Sequence, residues 1–198
     1  HSFHIVTRRQ SPCPAHQTTL ARRRTTPNIV SARPSSMAGD TTPPPPVSAA
    51  GVGELTAGGA LQSNRIVVYA DPLELRYLAG AQWSERATQL WQRLMVESIE
   101  TTGHFRSVSV SGQALKTELS LVGELQRFQA EVRGSSTVTK VRLSLKLVDN
   151  PSLKVRAQRT FEAEAETRES GIDGIVDGLD RATQRVLLEV AAWVVEQT

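Results

Sequence analysis

NRIVVYADPLELRYLAGAQWSERATQLWQRLMVESIETTGHF, residues 64–105, is the stretch on which the fold turns. Residues 66–69 form a short apolar run of the kind found in a buried strand. Asp71-Pro72 makes a turn, and Leu73, Leu75 and Tyr77 then alternate with Glu74 and Arg76 as in a second strand. Ser84 stands where a helix N-cap belongs. Trp83, Ala87, Leu90, Trp91, Leu94, Met95 and Ile99 recur at helical spacing, so an amphipathic helix headed by Trp83 is expected, with Gly103 as its C-terminal stop. Phe105, Val108 and Val110 return to the two-residue period of a strand.

Downstream the pattern is an antiparallel meander. Leu119, Leu121 and Leu125 keep one phase while Phe128, Ala130 and Val132 take the other, which predicts a bulge near Gln126-Arg127. Gly134-Ser135-Ser136 turns the chain. Val141, Leu143, Leu145 and Leu147 alternate with Arg142, Ser144 and Lys146, and Asp149-Asn150-Pro151-Ser152 is a second turn. The return strand carries Val155, Ala157, Phe161 and Ala163 on its apolar side. Symmetry about Pro151 sets Leu143 opposite Arg159, Val141 opposite Phe161 and Lys140 opposite Glu162, a register that keeps one face apolar. Ser170-Gly171-Ile172-Asp173 has capping-box spacing. After it, Ile172, Ile175, Val176, Leu179, Ala182, Val186, Leu187, Val190, Trp193 and Val194 make one long helical stripe. A one-sided sheet with two amphipathic helices predicts an α+β fold: a two-layer sandwich, mostly antiparallel, with both helices on one face.

Upstream the composition changes. Residues 1–58 are expected to be a disordered Arg/Pro/Thr-rich tail and linker, too poor in large apolar side chains to offset the entropy of ordering, with residues 59–198 as the domain. The first 50 residues hold six arginines and one acid, Asp40, a charge of +5; the whole chain carries +3, so the other 148 residues carry −2. The basic character thus belongs to the tail, and an ordered basic face for nucleic acid is not expected. Gly51-Val52-Gly53 opens like a dinucleotide fingerprint, but Thr56 occupies the third glycine position, so residues 51–59 read as a linker. Cys13 is the only cysteine, which rules out an internal disulfide. Gln10-Ser11-Pro12 precedes it where a lipoprotein signal would place a small-residue box, so no lipid anchor is visible in these residues. No window approaches the ~18 apolar residues of a membrane-spanning helix.

The search for chemistry finds little that converges. His104 is the one histidine of the domain and stands just past a helix cap, where helix-terminal carbonyls can engage it. None of the four lysines follows a glycine, so a phosphate-binding loop is not expected, and no Gly-x-Ser-x-Gly elbow occurs. Asp173, Asp177 and Asp180 suit the N-terminal turns of a helix better than a metal, with Arg181 in place to pair with Asp177. Glu162, Glu164 and Glu166 line the polar sheet face as a solvated or docking surface. Trp83 and Trp91 are read as core or rim residues that can also anchor a partner, and Arg159 as a cation forced onto the apolar face, where it snorkels, pairs or meets a partner. No catalytic group, cofactor or metal site is expected.

Several short landmarks fall in a familiar order: Asn64-Arg65-Ile66, Tyr77-Leu78, Trp83-Ser84 and Gly103-His104-Phe105, then Leu125-Gln126-Arg127-Phe128, Arg159-Thr160-Phe161 and the closing helix at Trp193. In order and spacing, residues 59–198 resemble the ABC-type transport auxiliary lipoproteins, the family of the paraquat-inducible protein C lipoproteins. The resemblance implies a non-catalytic subunit of a mammalian-cell-entry class lipid transporter in a Gram-negative envelope, periplasmic and outer-membrane associated. It implies as partners a mammalian-cell-entry lipid-binding protein and the ABC permease and ATPase, with lipid and a ring-like homo-oligomer as further candidates. Another envelope assembly or cell-wall-enzyme activator lipoprotein is the alternative, since a small sandwich serves that role as well. A small hydrolase built on His104 is the third.

Overall fold

A single 15-residue strand, Leu119–Arg133, is the spine of the sheet. The structure, a computed structural model, describes residues 5–7, 49–71, 73–111 and 116–198. In chain order its elements are β1 (Ile5–Thr7), β2 (Ala49–Val52), β3 (Thr56–Ala57), a 3₁₀ turn (Gly59–Gln62), β4 (Arg65–Asp71) and β5 (Glu74–Trp83). There follow α1 (Ala87–Thr101), β6 (Ser107–Val110), β7 (Leu119–Arg133), β8 (Ser136–Asp149), β9 (Lys154–Glu166) and α2 (Gly171–Glu196).

One edge of β7 pairs antiparallel with β8 over its whole length, and β8 pairs antiparallel with β9. The other edge takes three short parallel partners in succession: β2 beside residues 119–121, β3 beside 124–125 and β4 beside 129–131. Beyond these, β6 pairs parallel with β2, β5 pairs antiparallel with β4, and β1 pairs antiparallel with the end of β5. The long ladders are antiparallel, as expected; the parallel contacts are short and join segments distant in sequence.

Alternation explains the core. Leu121, Leu125, Phe128, Leu143, Leu145 and Phe161 are buried from the inner face of β7–β9. The ladder skips Gln126, and that bulge is what brings both Leu125 and Phe128 onto this face. Both helices lie on it: Trp91 of α1 meets the edge of Phe128, and Trp193 of α2 meets the edge of Phe161. The protein is therefore an α+β sandwich with its two helices in one layer.

Four local expectations are corrected. β8 and β9 pair Leu143 with Phe161, Leu145 with Arg159 and Lys140 with Glu164, two residues away from the register expected. A two-residue shift leaves every side chain on its expected face, so alternation cannot detect it. Its origin is a four-residue loop between Asp149 and Lys154, followed by a bulge at Arg156 that also turns Val155 outward beside Val148.

Second, Trp83 ends β5 rather than heading α1, which starts at Ala87. Neither Ser84 nor the N-cap residue Arg86 supplies a side-chain cap; the carbonyl of Ser63 accepts the Ala87 N–H at 3.1 Å instead. Third, Ser170 is the N-cap of α2 but makes no capping hydrogen bond. Fourth, the glycine-containing segment read as a linker supplies β2 and β3, with Val52 and Leu55 buried in the core. The rest of the presumed tail, apart from Ile5–Thr7, lies outside the described residues, as does Pro72 of the expected turn. At the other end of α1, Gly103 does close the helix, with φ of +65°, a conformation that costs glycine little.

A candidate site between the two helices

α1 and α2 run beside each other and leave a groove of about 340 Å³ between them. Its floor is apolar, formed by Leu94 of α1 and by Leu187, Leu188 and Ala191 of α2. Leu187 and Ala191 are buried, whereas Leu188 lies off the α2 stripe and is 71% exposed. The Ser98 hydroxyl donates to the Leu187 carbonyl at 3.2 Å and ties the helices together along the groove.

The two threonine hydroxyls along the α1 wall are occupied by their own helix. Thr101 donates to the carbonyl of Glu97 at 2.7 Å and Thr102 to that of Ile99 at 2.7 Å. Thr183 on the opposite wall is different: its hydroxyl is buried and has no hydrogen-bond partner. An unpaired buried hydroxyl is costly, and one that lines an opening is available to a ligand. At the rim, Asp180 accepts from Gln184 at 2.7 Å. Burial, and secondarily the charge of Asp177, push the Asp180 carboxyl upward. The groove thus offers apolar contact, one free hydroxyl and an acidic rim, which suits binding rather than bond-breaking.

The residues singled out from sequence lie elsewhere. Trp83 and Trp91 are 1% and 0% exposed. The Trp83 ring stacks on Phe128 at 4.9 Å, and Trp91 approaches the same ring edge-on at 5.7 Å. They sandwich one phenylalanine in the core and present nothing to the surface. Arg159 is exposed on the edge strand β9, with its guanidinium 5.2 Å from the Phe161 ring; the stem covers apolar surface while the head stays in water. His104 sits edge-on to Phe105 at 5.2 Å with Nε2 buried and unpartnered, and it does not line the groove.

Asp177, Glu162 and Glu164 are engaged. Asp177 pairs with Arg181 at 2.9 Å. The glutamates of β9 are interleaved with cations: Glu162 with Arg127 and Arg142, and Glu164 with Lys140 and Arg133. The outer face is therefore a mixed ion-pair lattice and not an acidic stripe. Among the described residues no three His, Cys, Asp or Glu side chains come together as a metal site.

Sequence reading missed the groove because its parts looked ordinary. Thr183 keeps the phase of the α2 stripe and Leu188 breaks it; together those two departures were the available signal.

Comparison with known proteins agrees with this fold. The fold matches the crystal structure of protein XCC0632 from Xanthomonas campestris with a TM-score of 0.71 at 24% identity, over 79% of this chain and 90% of that one. It also matches the crystal structure of an uncharacterized protein with a TM-score of 0.62 at 15% identity, over 74% and 91% of the two chains. No curated protein sequence matches the chain. The family model described as ABC-type transport auxiliary lipoprotein component matches residues 31–191. With most of its length under that match, the chain belongs to the ABC-type transport auxiliary lipoprotein component family.

Proposed function

We propose that this protein is the non-catalytic auxiliary subunit of an ABC-type lipid transport system of the mammalian-cell-entry class. It stands in the periplasm in association with the outer membrane and helps to join the inner-membrane transporter, or its lipid-conducting partner, to that membrane. The observation that carries the reading is the family match over residues 31–191. Two features support it. The groove between α1 and α2 has a floor of leucine and alanine, which suits an apolar chain or side chain. The polar sheet face is knitted by ion pairs, as befits a rigid body that holds other molecules in place. In this reading the energy for transport comes from the ATPase, and the auxiliary subunit contributes position and contact.

The test is capture of the full chain, tagged and produced in a Gram-negative host, from detergent-solubilised envelope. Co-recovery of an ABC permease, an ATPase or a mammalian-cell-entry protein, with lipid in the eluate, is the expected result. Recovery of a cell-wall enzyme or its activator in their place would reassign the protein to envelope assembly.

A further inference from the structure

The loop joining β8 to β9 carries a leucine in a backbone conformation that suits glycine. Leu153 has a φ of +55°, the one non-glycine residue in that region among the described residues, and its side chain is 81% exposed. A leucine there is doubly unfavourable, since its Cβ crowds the backbone and its apolar atoms face water. Yet the loop is firmly built. Asp149 accepts the Ser152 N–H at 3.0 Å and the Ser152 hydroxyl as well. Asn150 reaches across to residues 117 and 118, its side chain donating to the Thr117 carbonyl at 2.8 Å and its N–H to the Glu118 carbonyl at 2.9 Å. The leucine is held out by a braced turn.

Its surroundings continue the theme. Val155, turned outward by the bulge, is 55% exposed beside it. Lys154 and Arg156 flank Val155 in sequence, Lys154 stands opposite Asp149, and Lys146 lies two residues from Val148, the cross-strand neighbour of Val155; none of the three cations makes a salt bridge among the described residues. Asp149 is the acid within electrostatic reach of Arg156, and its carboxylate is committed to Ser152. The contrast with the far half of the same sheet face is sharp, because there Arg127, Arg133, Lys140 and Arg142 are all paired with glutamates. The loop end thus carries two exposed apolar side chains beside three cations that make no salt bridge among the described residues. It has the chemistry of a wedge for an anionic lipid surface: apolar atoms enter the acyl boundary while the cations meet headgroup phosphates.

We infer that the β8–β9 loop is a membrane-surface contact, in which Leu153 and Val155 insert among anionic lipids and Lys146, Lys154 and Arg156 hold the headgroups. This goes beyond the proposed transporter partnership and is independent of it; vesicle binding and transporter capture can succeed or fail separately. The experiment is sedimentation of the purified, unacylated full chain with vesicles of phosphatidylethanolamine and phosphatidylglycerol, and in parallel with phosphatidylcholine vesicles. The wild-type chain is expected to bind the anionic vesicles preferentially and to release them as salt rises.

Leu153→Asn separates a functional role from a structural one. Asparagine tolerates positive φ, so the variant should melt higher than the wild type while its vesicle affinity falls about tenfold. Lys154→Gln should lower affinity about fivefold. The arginine-rich tail is common to all these proteins, so its attraction to anionic vesicles cancels in the comparison. Equal binding by wild type and Leu153→Asn, or no binding by the wild type, overturns the inference. Loss of an envelope protein partner in Leu153→Asn, with vesicle binding unchanged, overturns it in favour of a protein contact.

Discussion

Lys140 shows how one residue can look misplaced and be fully accounted for. It is 9% exposed although it lies on the outer, polar face of the sheet. Its ammonium is 3.0 Å from Glu131 and 3.2 Å from Glu164, on the strands to either side. Burial alone would raise the Glu131 carboxyl; hydrogen bonds from Lys140 and Gln129 and the charge of Lys140 outweigh it and hold that carboxyl below the usual range. Because the folded-state value lies under the unfolded one, the pairing stabilises fully above the ordinary glutamate value of about 4.3. That stabilisation drains away as pH falls through the lower, folded-state value. Lys140→Met should therefore cost about 1–2 kcal/mol at neutral pH, between the values for exposed and buried pairs. The gap to wild type should narrow in acid. Urea unfolding at a series of pH values measures it, and a gap independent of pH would show that Lys140 acts through packing alone. Sequence alone set Lys140 opposite Glu162; the charge pairing was legible and the partner was off by one pleat.

At the scale of elements, the seat of α2 on the sheet depends on Gly178. A Cβ built there would stand 2.8 Å from Cγ2 and 2.9 Å from Oγ1 of Thr139 on β8. Thr139 cannot easily yield, since it is fully buried and its hydroxyl donates to the Ala165 carbonyl at 2.9 Å. Alanine favours a helix by about 1 kcal/mol over glycine, yet Gly178→Ala should still destabilise the protein by about 1–2 kcal/mol through overpacking. Thr139→Ala removes the obstacle, so the double variant should cost less than the sum of the singles, which thermal or urea unfolding of the cycle checks. Strict additivity would mean that α2 does not rest on β8 at that point. The elements themselves were largely readable: both helices, the bulge at Gln126 and the two hairpin turns follow from period and turn chemistry. What period cannot report is where one element ends against another. Trp83 fits the helical stripe by spacing but closes a strand, because β5 runs on to pair with β4 and its last residues reach the core. The groove was illegible for a related reason: it exists only where two helices from opposite ends of the domain meet.

For the whole molecule, the decisive departure from expectation is that the sheet begins before residue 59. The first parallel partner of β7 is a segment of small residues, Ala49-Ala50-Gly51-Val52, too short and too weakly apolar to read as a strand. Parallel pairing also leaves no hairpin signature in the sequence. Yet β2 sits between β6 and β7, and Gln92 of α1 donates to the Val52 carbonyl at 2.9 Å in a buried hydrogen bond. Val52 is 0% and Leu55 3% exposed. Removing the segment strips two large core side chains, each stabilising by about 1.5–3 kcal/mol, and leaves the Gln92 amide and part of one edge of β7 without partners. Against a total stability of about 5–15 kcal/mol this is a large fraction. A chain trimmed to residues 59–198 should thus melt far lower than one trimmed to 45–198, or fail to fold, and should bind a hydrophobic dye. Calorimetry of the two trimmed proteins decides the point. Equal melting temperatures would mean that β2 and β3 decorate a domain already complete at residue 59, and would return that segment to the role of a linker.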